Sequence, residues 1–262
     1  MVSAFANMTI GAEIPGFVAP TPLTPPSKAI SLWWCMLTMP APTLARIVDW
    51  LAPAERIRME RFAGETLRTR YLVGRASLRW ILGRAIDASP KDVAIERGLR
   101  GRPRLAGNAD IDFNVSHTAD VALIGLSRAG RIGVDVEHAD RVIQSSGLAR
   151  RILTDRERAT LPSHDGDAIR RRILRLWTCK EALAKATGDA MSAPFRRLDI
   201  QSEPILALAG GPAPYHASDF ALFAAAVPDR YLATVALWRP RNAAAEFNRD
   251  EASGPLANDR MA

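Results

Sequence analysis

The hydrophobic pattern along this chain changes period several times. Residues 29–38, "AISLWWCMLT", form an apolar run of strand length and predict a buried strand. The stretch 42–62 has helical spacing and predicts one or two helices broken near Pro53, since proline disrupts a helix interior. "ETLRTRYLVGRASLRWILGRAI" (65–86) predicts a long helix with Leu67, Tyr71, Gly74, Leu78 and Leu82 facing a core. Arg68, Arg70, Arg75, Arg79 and Arg84 fall around that stripe. Most are expected in solvent, with one or two turned into a cleft.

Strand-like segments follow. "IDFNVSH" (111–117), "VALIGLS" (121–127) and "RIGVDVE" (131–137) read as three short strands, and their very short links predict antiparallel hairpins. Helices are expected again from about 145 to 187, then strands near 195–200, 215–227 and 230–238. That order predicts an α+β fold with helices packed on antiparallel sheets. No strand leads into a GxGxxG turn, and no repeat is visible in the sequence. The Pro-rich segment "PGFVAPTPLTPPSK" suggests that residues 1–28 are a disordered extension, and the polar residues 241–262 suggest a loose tail. Between them lie an expected N-terminal subdomain, 29–139, and a C-terminal subdomain, 140–240.

Composition narrows the chemistry only a little. Lys and Arg number 35 against 28 Asp and Glu, a net charge of +7, which suits an anionic partner such as nucleic acid, an acidic protein or a phosphorylated cofactor. The two cysteines, Cys35 and Cys179, have no partners at metal-site spacing, and the four histidines form no HExxH. Nothing apolar is long enough to span a membrane, and the N-terminus lacks a signal-peptide pattern, so a cytoplasmic, reduced protein is expected. No RNP-like aromatic strand or zinc-finger spacing supports nucleic-acid binding.

Candidate chemistry starts in "RIGVDVEHAD". Ile132, Val134 and Val136 alternate with Gly133, Asp135 and Glu137, so the two carboxylates stand on one strand face. Like charges so close repel unless a cation lies between them or one holds a proton. In "RLWTCKEALAKATG" (175–188), Ile169, Ile173, Leu176, Cys179, Leu183 and Ala186 share an inward stripe, while Trp177, Glu181 and Lys185 follow at steps of four on another line. An exposed Glu181–Lys185 pair would contribute only about 0.2–0.5 kcal/mol. With Asp135 and Glu137, however, Glu181 would make an oxygen-rich site suited to Mg²⁺ and a phosphate, with Lys185 as a point charge. Ser116 and His117 of "FNVSHT" could donate to phosphate oxygens, and Arg102 of "LRGRPRL" could grip a phosphate bidentately.

The succession GRP, FNVSH, GVDVE and WxxKEAxxK resembles the 4′-phosphopantetheinyl transferases of the Sfp type, over roughly residues 30–238. The resemblance implies a pseudo-twofold pair of similar α/β subdomains with the active site in the cleft between them. It implies an enzyme that moves the phosphopantetheine arm of coenzyme A to a serine of an acyl or peptidyl carrier protein, releasing 3′,5′-ADP. It assigns Asp135, Glu137 and Glu181 to Mg²⁺, Glu181 also to general-base work, and Lys185 to phosphate contact and charge stabilisation. Ser116, His117, Arg102, Arg58 and Arg75 would bind coenzyme A phosphates. An acidic carrier would meet the 139–153 region with Arg141, Arg150 and Arg151, and a monomer is expected. Cys179 departs from the family pattern on the inward stripe. Glu55 departs from it near Arg58, where a basic residue is usual. A coenzyme A-binding protein without catalysis is the main alternative.

Overall fold

The computed structural model describes residues 14–98, 101–107, 110–142 and 145–241. In chain order these form β1 (Thr21–Leu23), β2 (Ile30–Met36), α1 (Ala41–Ile47), α2 (Pro53–Glu60), α3 (Glu65–Ile86), β3 (Ile95–Arg97), β4 (Pro103–Leu105), β5 (Asp112–Thr118), β6 (Val121–Ser127) and β7 (Arg131–His138). Next come α4 (Ser145–Ile152), α5 (Asp155–Ala159), α6 (Gly166–Thr187), β8 (Asp199–Gln201), β9 (Ala207–Gly210), β10 (Phe220–Ala224) and β11 (Tyr231–Trp238). All strand pairs are antiparallel, in the orders β1-β2-β6-β5 and β10-β11-β7, with small hairpins β3/β4 and β8/β9. The α+β expectation therefore holds.

The layers follow from alternating side chains. Cys35, Phe113, Ala122 and Ile124 on the first sheet pack against Leu72, Val73, Ala76 and Ile81 of α3. Ile30, Leu32, Trp34, Val121 and Leu123 on its other face meet Ile132, Val134, Val136, Val235 and Leu237 of the second sheet. The second sheet's outer face then carries α6, through Leu176, Cys179 and Leu183. Two sheets thus pack face to face with a long helix outside each.

The halves repeat one another. Each runs strand, short helices, a 22-residue helix, a small hairpin and two more strands, with β2-β6-β5 matched by β7-β11-β10. A sequence echo accompanies this: "LAPAER" at 51–56 and "LTDRER" at 153–158. In both, the Glu accepts the N–H three residues before it, from Ala52 to Glu55 at 3.0 Å and from Thr154 to Glu157 at 2.8 Å. In both, the following Arg donates to the preceding Leu carbonyl, Arg56 to Leu51 and Arg158 to Leu153. Each Glu then pairs with the fifteenth residue of its long helix, Glu55 with Arg79 at 2.7 Å and Glu157 with Lys180 at 2.6 Å. The repeat escaped the sequence reading because only these few polar positions are shared.

Several expectations are corrected. Residues 14–28 are not a disordered extension: β1 pairs with β2, and Phe17 packs edge-on to Trp50. Residues 1–13 and 242–262 lie outside the described residues. Strand β7 forms no hairpin ladder with β6 but pairs with β11, so the division between halves falls before β7 rather than after residue 139. Leu67 is 47% exposed instead of facing the core. Arg79 is 2% exposed, because Glu55 and the Pro90 and Val93 carbonyls replace its hydration.

Candidate active site

The site is built by seating α6 directly on β7. A Cβ at Gly133 would lie 1.9 Å from the Ala182 carbonyl oxygen and 2.6 Å from the Ala186 nitrogen. Only glycine allows that approach, and Ala182 and Ala186 are the small residues opposite it. Asp165 caps α6, accepting from Asp167 and Ala168 N–H groups, and Gly188 at φ +87° ends it. The long, fixed helix carries Trp177, Glu181 and Lys185 across the carboxylate face of β7.

Lys185 and Trp177 of α6 bond the carboxylates of β7. Lys185 Nζ donates to Asp135 Oδ1 at 2.7 Å, Ser116 Oγ at 3.0 Å and the Val134 carbonyl at 3.2 Å. Ser116 Oγ donates to Asp135 Oδ1 at 2.8 Å. Trp177 Nε1 donates to Glu137 Oε1 at 3.1 Å, and Arg141 pairs with the same oxygen. Burial pushes the Glu181 carboxyl up to about 7, with Lys185 opposing and the Asp135 and Glu137 charges adding to the rise. Burial and then the Asp135 charge raise Glu137 as well, against Arg141, the Trp177 bond and Lys185. Two buried oxygens, Asp135 Oδ2 and Glu181 Oε1, have no hydrogen-bond partner. Such atoms are costly unless a ligand or ion satisfies them.

Oxygen donors of this kind, two of them orphaned, fit a hard divalent cation. Glu137 is engaged with Arg141 and Trp177, and among the described residues no three His, Cys, Asp or Glu side chains stand gathered as a ready metal cluster. His117 is exposed at the end of β5, beside this group. Desolvation of its ring and then the Lys185 charge lower its pKa, with Asp135 opposing.

The remaining predicted residues lie elsewhere. Arg102 is buried, and its guanidinium donates to Asp112 Oδ2 at 2.6 Å, to the Ile132 carbonyl at 2.7 Å and to the Lys185 carbonyl. Through these bonds it joins β5, β7 and α6, while its Nε is buried without a hydrogen-bond partner. Ser116 Oγ donates to Asp135 and accepts from Lys185 and the Val136 N–H. Arg58 is exposed on the last turn of α2. Arg75 is partly buried and bonds Glu55 Oε1 through Nε at 2.8 Å. Glu55, the departure noted in the sequence, is therefore the anion holding Arg75 and Arg79. Its burial raises its pKa, but the Arg75 charge and the bonds from Arg79, Arg75 and Ala52 bring it below the ordinary value. Burial raises the Tyr71 pKa, with the Arg75, Arg58 and Arg97 charges opposing and Glu55 adding to the rise, so these side chains surround one ring on the first half.

Sequence reasoning did not single out Asp112 and Asn114, which bond β7, or the packing role of Gly133. The signal for Gly133 was available: a glycine on the carboxylate face of a strand, and alanines four apart in the helix that covers it.

Comparison with known proteins agrees with this geometry. The 4′-phosphopantetheinyl transferase superfamily profile matches residues 131–236, and the 4′-phosphopantetheinyl transferase N-terminal profile matches residues 40–128. The join between them coincides with the join between the two repeats. The 4′-phosphopantetheinyl transferase HetI of Nostoc sp. is 32% identical over 188 residues, 71% of this chain and 79% of that protein. A putative 4′-phosphopantetheinyl transferase of Synechocystis sp., slr0495, is 35% identical over 54% of this chain and 58% of its own length. The L-aminoadipate-semialdehyde dehydrogenase-phosphopantetheinyl transferase of Xenopus laevis is 26% identical over 66% of this chain and 60% of its own. These matches make the protein a transferase; the chain belongs to the 4′-phosphopantetheinyl transferase superfamily. No helix among the described residues is long and apolar enough to cross a membrane.

Proposed function

We propose that this protein is an Sfp-type enzyme that transfers the 4′-phosphopantetheine arm of coenzyme A to a serine of an acyl or peptidyl carrier protein, releasing 3′,5′-ADP with Mg²⁺ bound. The observation that carries this reading is the Lys185–Asp135 pair, with orphaned buried carboxylate oxygens on Asp135 and on Glu181 of the same helix as Lys185.

Glu181 takes the proton of the carrier serine, directly or through one water. Without metal, burial raises this carboxyl to about 7, so it takes up a proton more readily than an exposed glutamate. The serine oxygen forms a bond to the phosphorus on the pantetheine side of the coenzyme A diphosphate. The bond from that phosphorus to the bridging oxygen breaks, and 3′,5′-ADP leaves with the electron pair. Lys185 balances the charge that builds on the phosphate oxygens. Asp135, Glu137 and Glu181 would hold Mg²⁺, with Arg141 released from Glu137. The ion supplies charge neutralisation at the diphosphate when bound.

His117 serves the 3′-phosphate end, with Arg58, Arg75 and Arg97 as the basic group for the nucleotide. Ser116 and Arg102 act indirectly, by holding Asp135 and Lys185. Exposed Arg150 and Arg151 on α4, next to the site segment that bears Arg141, suit an acidic carrier from fatty-acid, polyketide or nonribosomal-peptide synthesis. The enzyme works as a cytoplasmic monomer, with neither nucleic acid nor membrane as partner.

Intact-protein mass spectrometry of an apo-carrier protein tests this reading. Incubation with coenzyme A, Mg²⁺ and this protein should add one phosphopantetheine group, and EDTA should prevent the gain. Coenzyme A binding without any mass gain, on carriers of all three pathways, would replace transfer by a binding function.

A further inference from the structure

We infer that Asn114, with Asp112 beside it, is a positioning residue for the transfer site. The inference rests on the reading of Asp135 and Lys185 as that site.

Strands β5 and β7 border one another without a main-chain ladder. Alternate side chains of β5 instead accept alternate N–H groups of β7: Asp112 Oδ2 from Ile132 at 2.6 Å, Asn114 Oδ1 from Val134 at 3.0 Å, and Ser116 Oγ from Val136 at 3.2 Å. A carboxylate, an amide and a hydroxyl each do the work of a strand carbonyl. Arg102 closes the seam, bonding Asp112, the Ile132 carbonyl and the Lys185 carbonyl.

The seam touches the reacting groups through Val134. Its N–H is held by Asn114, and its carbonyl accepts from Lys185 Nζ. The next residue is Asp135, which takes the same ammonium. Asn114 is 8% exposed, and that bond links it to the site. The first half offers the contrast. There the matching edge of β2 is paired by the main chain of β1, with Thr21 opposite Trp34 and Leu23 opposite Leu32. Of these two matching edges, the one closed by side chains belongs to the strand that carries the carboxylates. Small displacements of a reacting group lower turnover steeply, which links the seam to rate.

Four substitutions at this position separate positioning from folding. Asn114→Leu keeps approximate size and removes the acceptor; Asn114→Ala removes it with less bulk. Asn114→Ser and Asn114→Asp restore acceptors of the kinds that β5 already uses at 116 and 112. Transfer to an apo-acyl carrier protein is measured per folded molecule, well below each variant's melting temperature. Asn114→Leu should lower kcat at least about tenfold with KM for coenzyme A changed less than about threefold, and Asn114→Ser should recover most of kcat. Wild-type kcat in a destabilised Asn114→Leu would overturn the inference, as would Asn114→Ser being equally slow. If Asn114→Leu does not fold, the Ala and Ser variants decide: a slower Ala supports the inference, and equal rates overturn it. Asp135→Ala runs in the same assay. If it turns over normally, the site reading fails and takes the seam with it; if it is inactive while Asn114→Leu is normal, only the seam fails.

Discussion

Helix α3 on β2 and helix α6 on β7 are the same construction used twice, and only the second sets carboxylates at the strand–helix junction. Met36 lies opposite Val121 and His138 opposite Tyr231, so the ladders put Trp33 and Cys35 where the second half has Asp135 and Glu137. On the helices, Trp80 and Arg84 hold the places of Glu181 and Lys185, with the Arg84 guanidinium over the Trp80 ring. In the first half, then, the strand–helix junction is filled with apolar bulk. In the second, Gly133 brings the helix close, and buried carboxylates replace that bulk. The buried Glu–cation clamp is common to both. The comparison assigns Lys180, which is fully buried next to Glu181, to architecture rather than reaction, because Arg79 does the same work in the half without a site.

That assignment can be broken by removing each clamp. Lys180→Met leaves Glu157 a buried anion without its cation and should destabilise by about 3–5 kcal/mol in denaturant unfolding. Arg79→Met should cost less, about 1–3 kcal/mol, because Arg75 still pairs with Glu55. Equal losses would show that the two clamps do not differ as their partners suggest. Gly133→Ala should cost on the order of 3 kcal/mol by forcing α6 off β7, with transfer lost in parallel. Ser31→Ala at the matching place on β2 should be nearly neutral in the same melts. A tolerated Gly133→Ala would remove close packing from the account.

The titration of Glu181 sharpens the contrast further. Below its ordinary pKa of 4.5 the carboxyl is protonated both folded and unfolded, and it does not affect stability. As pH rises from 4.5 towards 7 the unfolded chain ionises first, so the metal-free fold is increasingly destabilised, reaching on the order of 3 kcal/mol above pH 7. In EDTA, Glu181→Gln should therefore be more stable than wild type at pH 8 and equal to it near pH 4. Parallel pH profiles would show that Glu181 is not held at raised pKa. The smallest effect concerns the caps. Thr154 caps α5 through its side chain, whereas Ala52 has no acceptor to offer α2. Ala52→Thr should add about 1 kcal/mol and Thr154→Ala remove about as much.

Much of this was legible in the sequence because it depends on local pattern. The bounds of α3 and the helical spacing of Trp177, Glu181 and Lys185 follow from periodicity, and Asp135 and Glu137 share a face by strand alternation. What stayed hidden depends on which strand edge meets which. The β6–β7 link is short enough for a hairpin, and nothing local shows that β7 joins β11 across about 95 residues instead. The seam is invisible for the same reason. That Ser116 and Arg102 bond β7, Asp135 and Lys185 could not be read from their place in the sequence. Arg79 looked like one more surface arginine because its partner, Glu55, is 24 residues away on another helix.

Transfer at the second half's strand–helix junction, with Glu181 as the proposed base, stands or falls on Glu181→Gln, measured for single-turnover transfer to an apo-carrier protein and, separately, for coenzyme A affinity. The account predicts a fall in turnover of about a hundredfold or more, with affinity within about threefold of wild type. Wild-type turnover, or an affinity loss matching the rate loss, would contradict it.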